Sequence, residues 1–188
     1  MPKLAQLVRD YPQIQMEIIV DYGLVDVVTE RFDAGVRLGE QVAKDMIGVP
    51  ISPVIPMAVV GAPDYFERRP PPQQPQQLLE HQCLNLWLPS LETVNEWLFF
   101  RQGMTTRVRV NGSLTFNTLD LIRDAALKGL GLAYLPLDQV EQDLAAGRLV
   151  SVLQAWMQDL PAYYLYYPNR RQSSPVFKLV VDTLRHRS

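Results

Sequence analysis

The stretch NTLDLIRDAALKGLGLAYLP, residues 117–136, fixes the polarity of a helix and a strand, and so constrains the fold more than any other part of the chain. Asn117 or Thr118 caps the helix, and Asp120 lies in the first turn, where a negative charge suits the helix dipole. Leu119, Ile122 and Ala126 form one apolar face. Gly129 and Gly131 follow the helix and precede the apolar run 132–136. A dinucleotide fingerprint has the opposite order, with glycines after a strand and before a helix, so that phosphate meets the helix N-terminus. These glycines are therefore a helix stop, where glycine supplies the left-handed C-cap conformation.

The same alternation runs through the chain. Leu4, Leu7, Val8 and Tyr11 share one helical face, stopped by Pro12. Ile14, Met16, Ile18 and Val20 alternate with polar residues as a half-buried strand would. After a turn at residues 21–23, Leu24, Val27, Val28 and Phe32 space as a helix, and 34–38 is a second strand. Strand, helix and strand without a hairpin turn imply a crossover and a parallel sheet. Strands follow at 46–51 and 56–61, then a short helix over 64–68. Residues 68–81, RRPPPQQPQQLLEH, cannot continue a sheet and read either as a stiff connector at a lobe boundary or as a surface loop within one domain. Strands are expected at 83–87, 95–101, 105–110 and 113–116. Beyond the opening stretch come a helix over 137–145 closed by Gly147, a strand over 149–153, an aromatic strand over 162–167 and a helix begun by Ser174-Pro175. The class is α/β with mainly parallel sheets.

Composition excludes several functions. Net charge is −2, and the only paired arginines, Arg68–Arg69 and Arg170–Arg171, are isolated, so the chain lacks the clustered cations that neutralise DNA phosphates. The single cysteine, Cys83, permits no intramolecular disulfide and fits a reducing cytoplasm. No run approaches the roughly 18 apolar residues of a membrane span, so no membrane role is expected. His81 and Cys83 would share a strand face, but a nucleophile also needs an orienting group and an oxyanion hole, and Cys83 reads as core. His81 and His186 show no metal-ligand spacing, the carboxylates read as solvated helix faces, and no cofactor or catalytic residue is expected.

What remains is geometry. Ligands of α/β folds sit beyond the carboxyl ends of strands. Those ends fall at residues 21–23, at Arg37 and Leu38, at Asn85 and Trp87, and at Phe116, Asn117 and Thr118. They offer aromatic walls, a cation and the free N–H groups of a helix start, which suit a small organic anion. Each has an ordinary alternative: Trp87 as core, Arg37 paired with Glu40, Asn117 and Thr118 as caps alone.

The stretches LVDVVTERFDAGVRLGE (24–40), PMAVVGAPDYFERR (56–69), NTLDLIRDAALKGLGLAYLP (117–136) and GRLVSVL (147–153), in that order, resemble the effector-binding domain of LysR-type transcriptional regulators. The resemblance covers nearly the whole chain. It implies a fold like the type II periplasmic binding proteins: two Rossmann-like lobes, two crossover connections and a small-molecule effector in the cleft. Residues 1–70 plus 165–188 are expected to form lobe one, and 71–164 lobe two. By position, effector contacts fall at Tyr22, Gly23, Arg37, Leu38, Phe116, Asn117 and Thr118. The resemblance also implies a cytoplasmic homodimer or higher homo-oligomer, pairing the first helix of one subunit with the 118–129 helix of the other, through Leu4, Ala5, Val8, Leu121 and Ala125. DNA is expected to enter only through a winged helix-turn-helix domain, which this sequence does not contain. The family's first strand, before the first helix, is not in it either, so a piece of a longer protein or a shortened gene product is expected. The rival reading is a stand-alone solute-binding protein or enzyme of the same fold.

Overall fold

The computed structural model describes residues 2–20, 26–39, 46–89, 92–169 and 174–187. Two compact units emerge. Met1–Asp21, Val25–Ile55 and Leu160–Ser188 belong to one, and Pro56–Asp159 to the other. The chain leaves and re-enters the first unit at neighbouring points, because Ile55 and Leu160 exchange backbone hydrogen bonds at 2.9 and 2.8 Å.

The boundary therefore differs from the expected 70/71 and 164/165. The proline-rich stretch is a surface element of the second unit: Pro72, Pro75 and Leu78 are buried, and Pro75–Glu80 winds into a 3-10 helix. Its stiffness serves packing instead of linkage. At the other end, the aromatic strand lies wholly in the first unit, where it is the central strand.

In the first unit, helix α1 (Pro2–Asp10) precedes strands β1 (Gly35–Leu38) and β2 (Met46–Pro50), which flank β11 (Tyr163–Pro168). Both pairings are antiparallel. Helix α5 (Pro175–Leu184) starts where expected, with Ser174 Oγ accepting the Phe177 N–H. It buries Val181 against Val49, Leu165 and Tyr167, and Phe177 meets Tyr167 edge-on at 4.9 Å. Lys3 Nζ donates to the carbonyls of Leu184 and Arg185 at 3.0 and 2.9 Å, tying α1 to the negative end of α5. Only part of the expected α1 face is inward: Leu7 is buried, while Val8 and Tyr11 are exposed.

Two expected elements are absent among the described residues. Residues 14–20 form no strand, and Ile18, Ile19 and Val20 lie exposed. Alternation predicts a strand only where a neighbour supplies the ladder, and none of the described strands pairs with this segment. Nor do residues 26–32 form a helix. Asp26 accepts from the Val28 and Thr29 N–H groups and the Thr29 hydroxyl, closing a local turn that competes with helix. Residues 21–25, including Leu24, lie outside the described residues.

In the second unit, β3 (Met57–Gly61) lies between β9 (Ala133–Pro136) and β10 (Val150–Val152), antiparallel to both. Helix α2 (Pro63–Arg68) follows β3. Strand β4 (Leu84–Leu88) pairs with β5 (Thr93–Val94) on one side and, in parallel, with β8 (Leu114–Phe116) on the other. A parallel bridge, Cys83 to Leu132, links the two sheets. Parallel pairing among the described residues is confined to these places, so the sheets are mixed where mainly parallel ones were expected.

Helices α3 (Leu119–Leu127) and α4 (Leu137–Ala145) cover one face of this framework, burying Ile122, Ala126 and Val140 against Ala58, Val60, Leu84 and Leu135. The hairpin of β6 (Trp97–Arg101) and β7 (Met104–Val108) buries Trp97, Phe99 and Val108, with Trp97 stacked on Tyr134 at 5.5 Å. Gly129 has φ +65°, as the C-cap requires. Gly131 serves a different purpose: a Cβ there would stand 2.7 Å from the Gln82 carbonyl oxygen.

Candidate functional site

Parallel pairing of β4 and β8 brings five of the sequence-predicted ligand residues onto one sheet. The register sets Asn85 opposite Thr115 and Leu86 opposite Phe116, so both strands end at the same edge. Leu84, Leu86, Leu114 and Phe116 pack toward α3 and α4. By strand alternation Asn85 and Trp87 take the other face. Trp87 is exposed enough to serve as a wall rather than core.

Asn85 is only 5% exposed, yet its Oδ1 accepts no hydrogen bond. Leaving a buried acceptor unpaired costs about 1–3 kcal/mol. A neighbouring feature also lacks its partner. Thr118 has the extended backbone of an N-cap, at φ −137° and ψ 142°, but its side chain accepts none of the N–H groups of α3. Asn117 is exposed at the turn between β8 and α3. Asn85 thus offers an orphan acceptor within β4, on the face away from α3, and α3 begins without a side-chain cap just past the end of β8.

The remaining predicted residues belong elsewhere. Arg37 and Leu38 lie on β1 of the first unit. The Arg37 guanidinium stands over the Tyr166 ring at 4.7 Å, a cation–π contact between neighbouring strands. Its charge also adds to the Thr29 and backbone hydrogen bonds that hold the Asp26 carboxyl below its usual range. Tyr22, Gly23 and Glu40 lie outside the described residues, as do Arg170 and Arg171. Of the dimer candidates, Leu121 is half exposed, Ala5 and Val8 are exposed and Leu4 is partly buried. Ala125 is corrected: it is buried in the core beneath α3, because it neighbours Ile122 and Ala126 on the helix.

Cys83 is core, as its apolar strand implies. Burial pushes its thiol up to about 12, and Sγ is 3.6 Å from the Leu78 carbonyl, so no thiolate is available. His81 precedes the strand. Its Nδ1 is 3.0 Å from the Tyr65 hydroxyl, which accepts the Gln82 N–H and lies 3.5 Å from the Gln82 carbonyl oxygen. Burial and then Arg69 lower the His81 pKa.

One carboxylate departs from the expected solvated helix faces. Asp143 on α4 is fully buried and accepts from Arg123 Nε at 2.7 Å and Arg148 Nε at 2.9 Å. Burial pushes its carboxyl up, but the two arginines outweigh that and hold it below its usual value. A helical offset from apolar Val140 was the available signal. Arg107 on β7 and Arg109, one residue beyond its end, were also not singled out.

Among the described residues no group of His, Cys, Asp or Glu could hold a metal ion, and no helix is long and apolar enough to cross a membrane.

The chain matches the family model for the LysR substrate binding domain over residues 1–188. It is 50% identical over 187 residues to the HTH-type transcriptional regulator PgrR of Escherichia coli, covering all of this chain and 62% of that protein. It is 37% identical over 185 residues to the uncharacterized HTH-type transcriptional regulator YcaN of Escherichia coli, covering 98% of this chain and 60% of that one. The chain thus spans about three fifths of the length of these relatives. Among solved structures, it superposes on the full-length Vibrio cholerae virulence activator AphB with a TM-score of 0.82 at 25% identity, over 97% of this chain and 61% of that one. On CrgA of Neisseria meningitidis the TM-score is 0.83 at 22% identity, over 97% and 61%. That likeness supports the two-lobed α/β fold of the periplasmic-binding-protein type. The family and these relatives are transcriptional regulators, not enzymes. The chain belongs to the LysR substrate-binding-domain family, the effector-binding part of LysR-type regulators.

Proposed function

We propose that this domain senses a small organic anion, held at the carboxyl ends of β4 and β8. The observation that carries the reading is the buried, unpartnered Oδ1 of Asn85 on the strand whose partner leads into the start of α3. A carboxylate suits the first-turn N–H groups of α3, and a hydroxyl or amino group on the same molecule would donate to Asn85 Oδ1. Trp87 supplies an apolar wall on the Asn85 face, and Asn117 and Thr118 line the start of the helix, whereas Phe116 packs toward α3 and supports that start from the core side. Arg37 of the first unit is a further candidate contact, as are Leu38, Tyr22 and Gly23.

In the intact protein, effector binding shifts a conformational equilibrium that a helix-turn-helix DNA-binding segment reads, by analogy with the HTH-type regulators it is similar to. The assembly is a cytoplasmic, two-fold homodimer using α1 and α3 reciprocally. Leu4, Ala5, Val8 and Leu121 are its contacts, without Ala125.

A calorimetric screen of small carboxylates, amines and neutral analogues against the intact protein tests this. Hydroxy- or amino-carboxylates should bind. Binding by cationic or neutral compounds alone, with affinity unaltered by Arg37→Ala, would show the reading to be wrong.

A further inference from the structure

An open groove of about 350 Å³ lies within the second unit, between the β4–β5 edge and the β6–β7 hairpin. Its charged lining is Arg107, Arg109 and Glu96, and its apolar lining is Leu88, Val94 and Leu98. None of Asn85, Trp87, Phe116, Asn117 or Thr118 lines it. It adjoins the proposed strand-end site, since Leu88 ends β4 and Val94 pairs with Trp87, but it opens toward the hairpin and takes its charge from other residues.

The hairpin register explains how the lining is presented. Trp97 pairs with Val108, and both are buried, as is Phe99. Alternation then puts Leu98 on the opposite face, directly across from Arg107, and Arg109, one residue beyond the end of β7, is likewise exposed. Leu88 sits across from Thr93 at the end of β4, next to Val94. A buried aromatic inner face thus anchors a strand pair that presents two guanidinium groups beside apolar side chains, Arg107 on its outer face and Arg109 just past its end.

Neither Arg107 nor Arg109 forms an ion pair among the described residues, where the ion pairs are those of Asp143. Two arginines against one glutamate leave the lining with one net positive charge. From this arrangement we infer that the groove is a second ligand site, selective for a small monocarboxylate with a short apolar body. The carboxylate would be gripped by the planar fork of a guanidinium, which matches it in two hydrogen bonds. The alkyl or aryl portion would cover Leu88, Val94 and Leu98. Glu96 sets the charge limit, since a second negative group would have to sit against its carboxylate.

The test is a titration of hexanoate into the 188-residue chain, followed by methyl NMR of Leu88, Val94 and Leu98. These methyls should shift saturably with hexanoate and not with hexylammonium. Arg107→Gln/Arg109→Gln, at exposed positions, should weaken binding at least about tenfold, the scale of a lost charge-assisted hydrogen bond. Glu96→Gln should tighten it severalfold, an effect that a purely structural role of these residues would not give. Absence of saturable shifts at these methyls, unaltered affinity in the arginine pair variant, or weaker binding in Glu96→Gln would each overturn the inference. Perturbation confined to residues 117–121 would assign the binding to the strand-end site and likewise overturn it.

Discussion

Arg123 of α3 donates through Nε to the fully buried carboxylate of Asp143 on α4, at 2.7 Å. Arg148, just beyond α4, completes the clamp from the other side of the same carboxylate. The asymmetry of exposure decides what each substitution does. The arginines keep contact with solvent, whereas Asp143 has none.

Removing both cations should therefore cost more than removing the anion. Arg123→Gln/Arg148→Gln strands a buried charge and should destabilise the chain by about 3–5 kcal/mol. Asp143→Asn leaves two guanidinium groups that water can reach, and should cost about 1–3 kcal/mol. Urea denaturation of the two variants gives the order directly.

His81 makes stability depend on pH. Its folded pKa lies below 6.5 because burial and Arg69 disfavour the imidazolium. Between the folded and unfolded values the unfolded chain binds more protons, so stability rises with pH in that window. Urea midpoints should fall as pH drops from about 6.5, the unfolded value, and level off once His81 is protonated in both states. His81→Gln should flatten this window, leaving the acid loss from Asp143 at lower pH. Asp143 has the opposite relation to its own charge: its lowered pKa gives stability above the usual carboxyl range that is lost as pH falls through the folded value.

The two α3 positions proposed for the dimer contact now separate. Leu121→Glu should leave the unfolding free energy of the monomer within about 0.5 kcal/mol of the parent and weaken self-association in sedimentation. Ala125→Glu should instead unfold the second unit, because its charge enters the core with Ile122 and Ala126. A Leu121→Glu chain as dimeric as its parent would remove α3 from the interface.

The glycines of the Gly-Leu-Gly stretch should differ in kind. Gly129→Ala meets only ordinary contacts and should cost about 1–2 kcal/mol for its left-handed backbone. Gly131→Ala drives a methyl into the Gln82 carbonyl and the β4 neighbourhood, and should cost more. Thermal unfolding of both variants measures the difference.

These residues also show what the sequence made legible. The α3 face, the Ser174 cap and the Gly129 stop were readable because each rests on neighbours within a turn. The strand expected over residues 14–20 was not, because a strand exists only in its ladder. The helix expected from Leu24 was overridden by one carboxylate, Asp26, closing its own turn. Proline and glutamine composition suggested a linker at 68–81, but composition does not reveal that Pro72, Pro75 and Leu78 are buried. For the site, spacing put Asn85, Trp87 and Phe116–Thr118 near strand ends, yet only the β4–β8 register shows that Asn85 lies within β4, opposite Thr115, and on the other face from Phe116. The buried state of Asp143, and of Asn85 Oδ1, depends on contacts across long stretches of chain.

The most direct test of effector binding at the β4–β8 edge is an NMR titration of the carboxylate that calorimetry identifies, in the Arg107→Gln/Arg109→Gln background so that the groove is silent. The reading predicts saturable shifts of the backbone N–H groups of Leu119, Asp120 and Leu121 and of the Asn85 side-chain amide, with affinity falling in Asn85→Ala. Saturable binding that leaves these signals unmoved, or that survives Asn85→Ala unchanged, would contradict it.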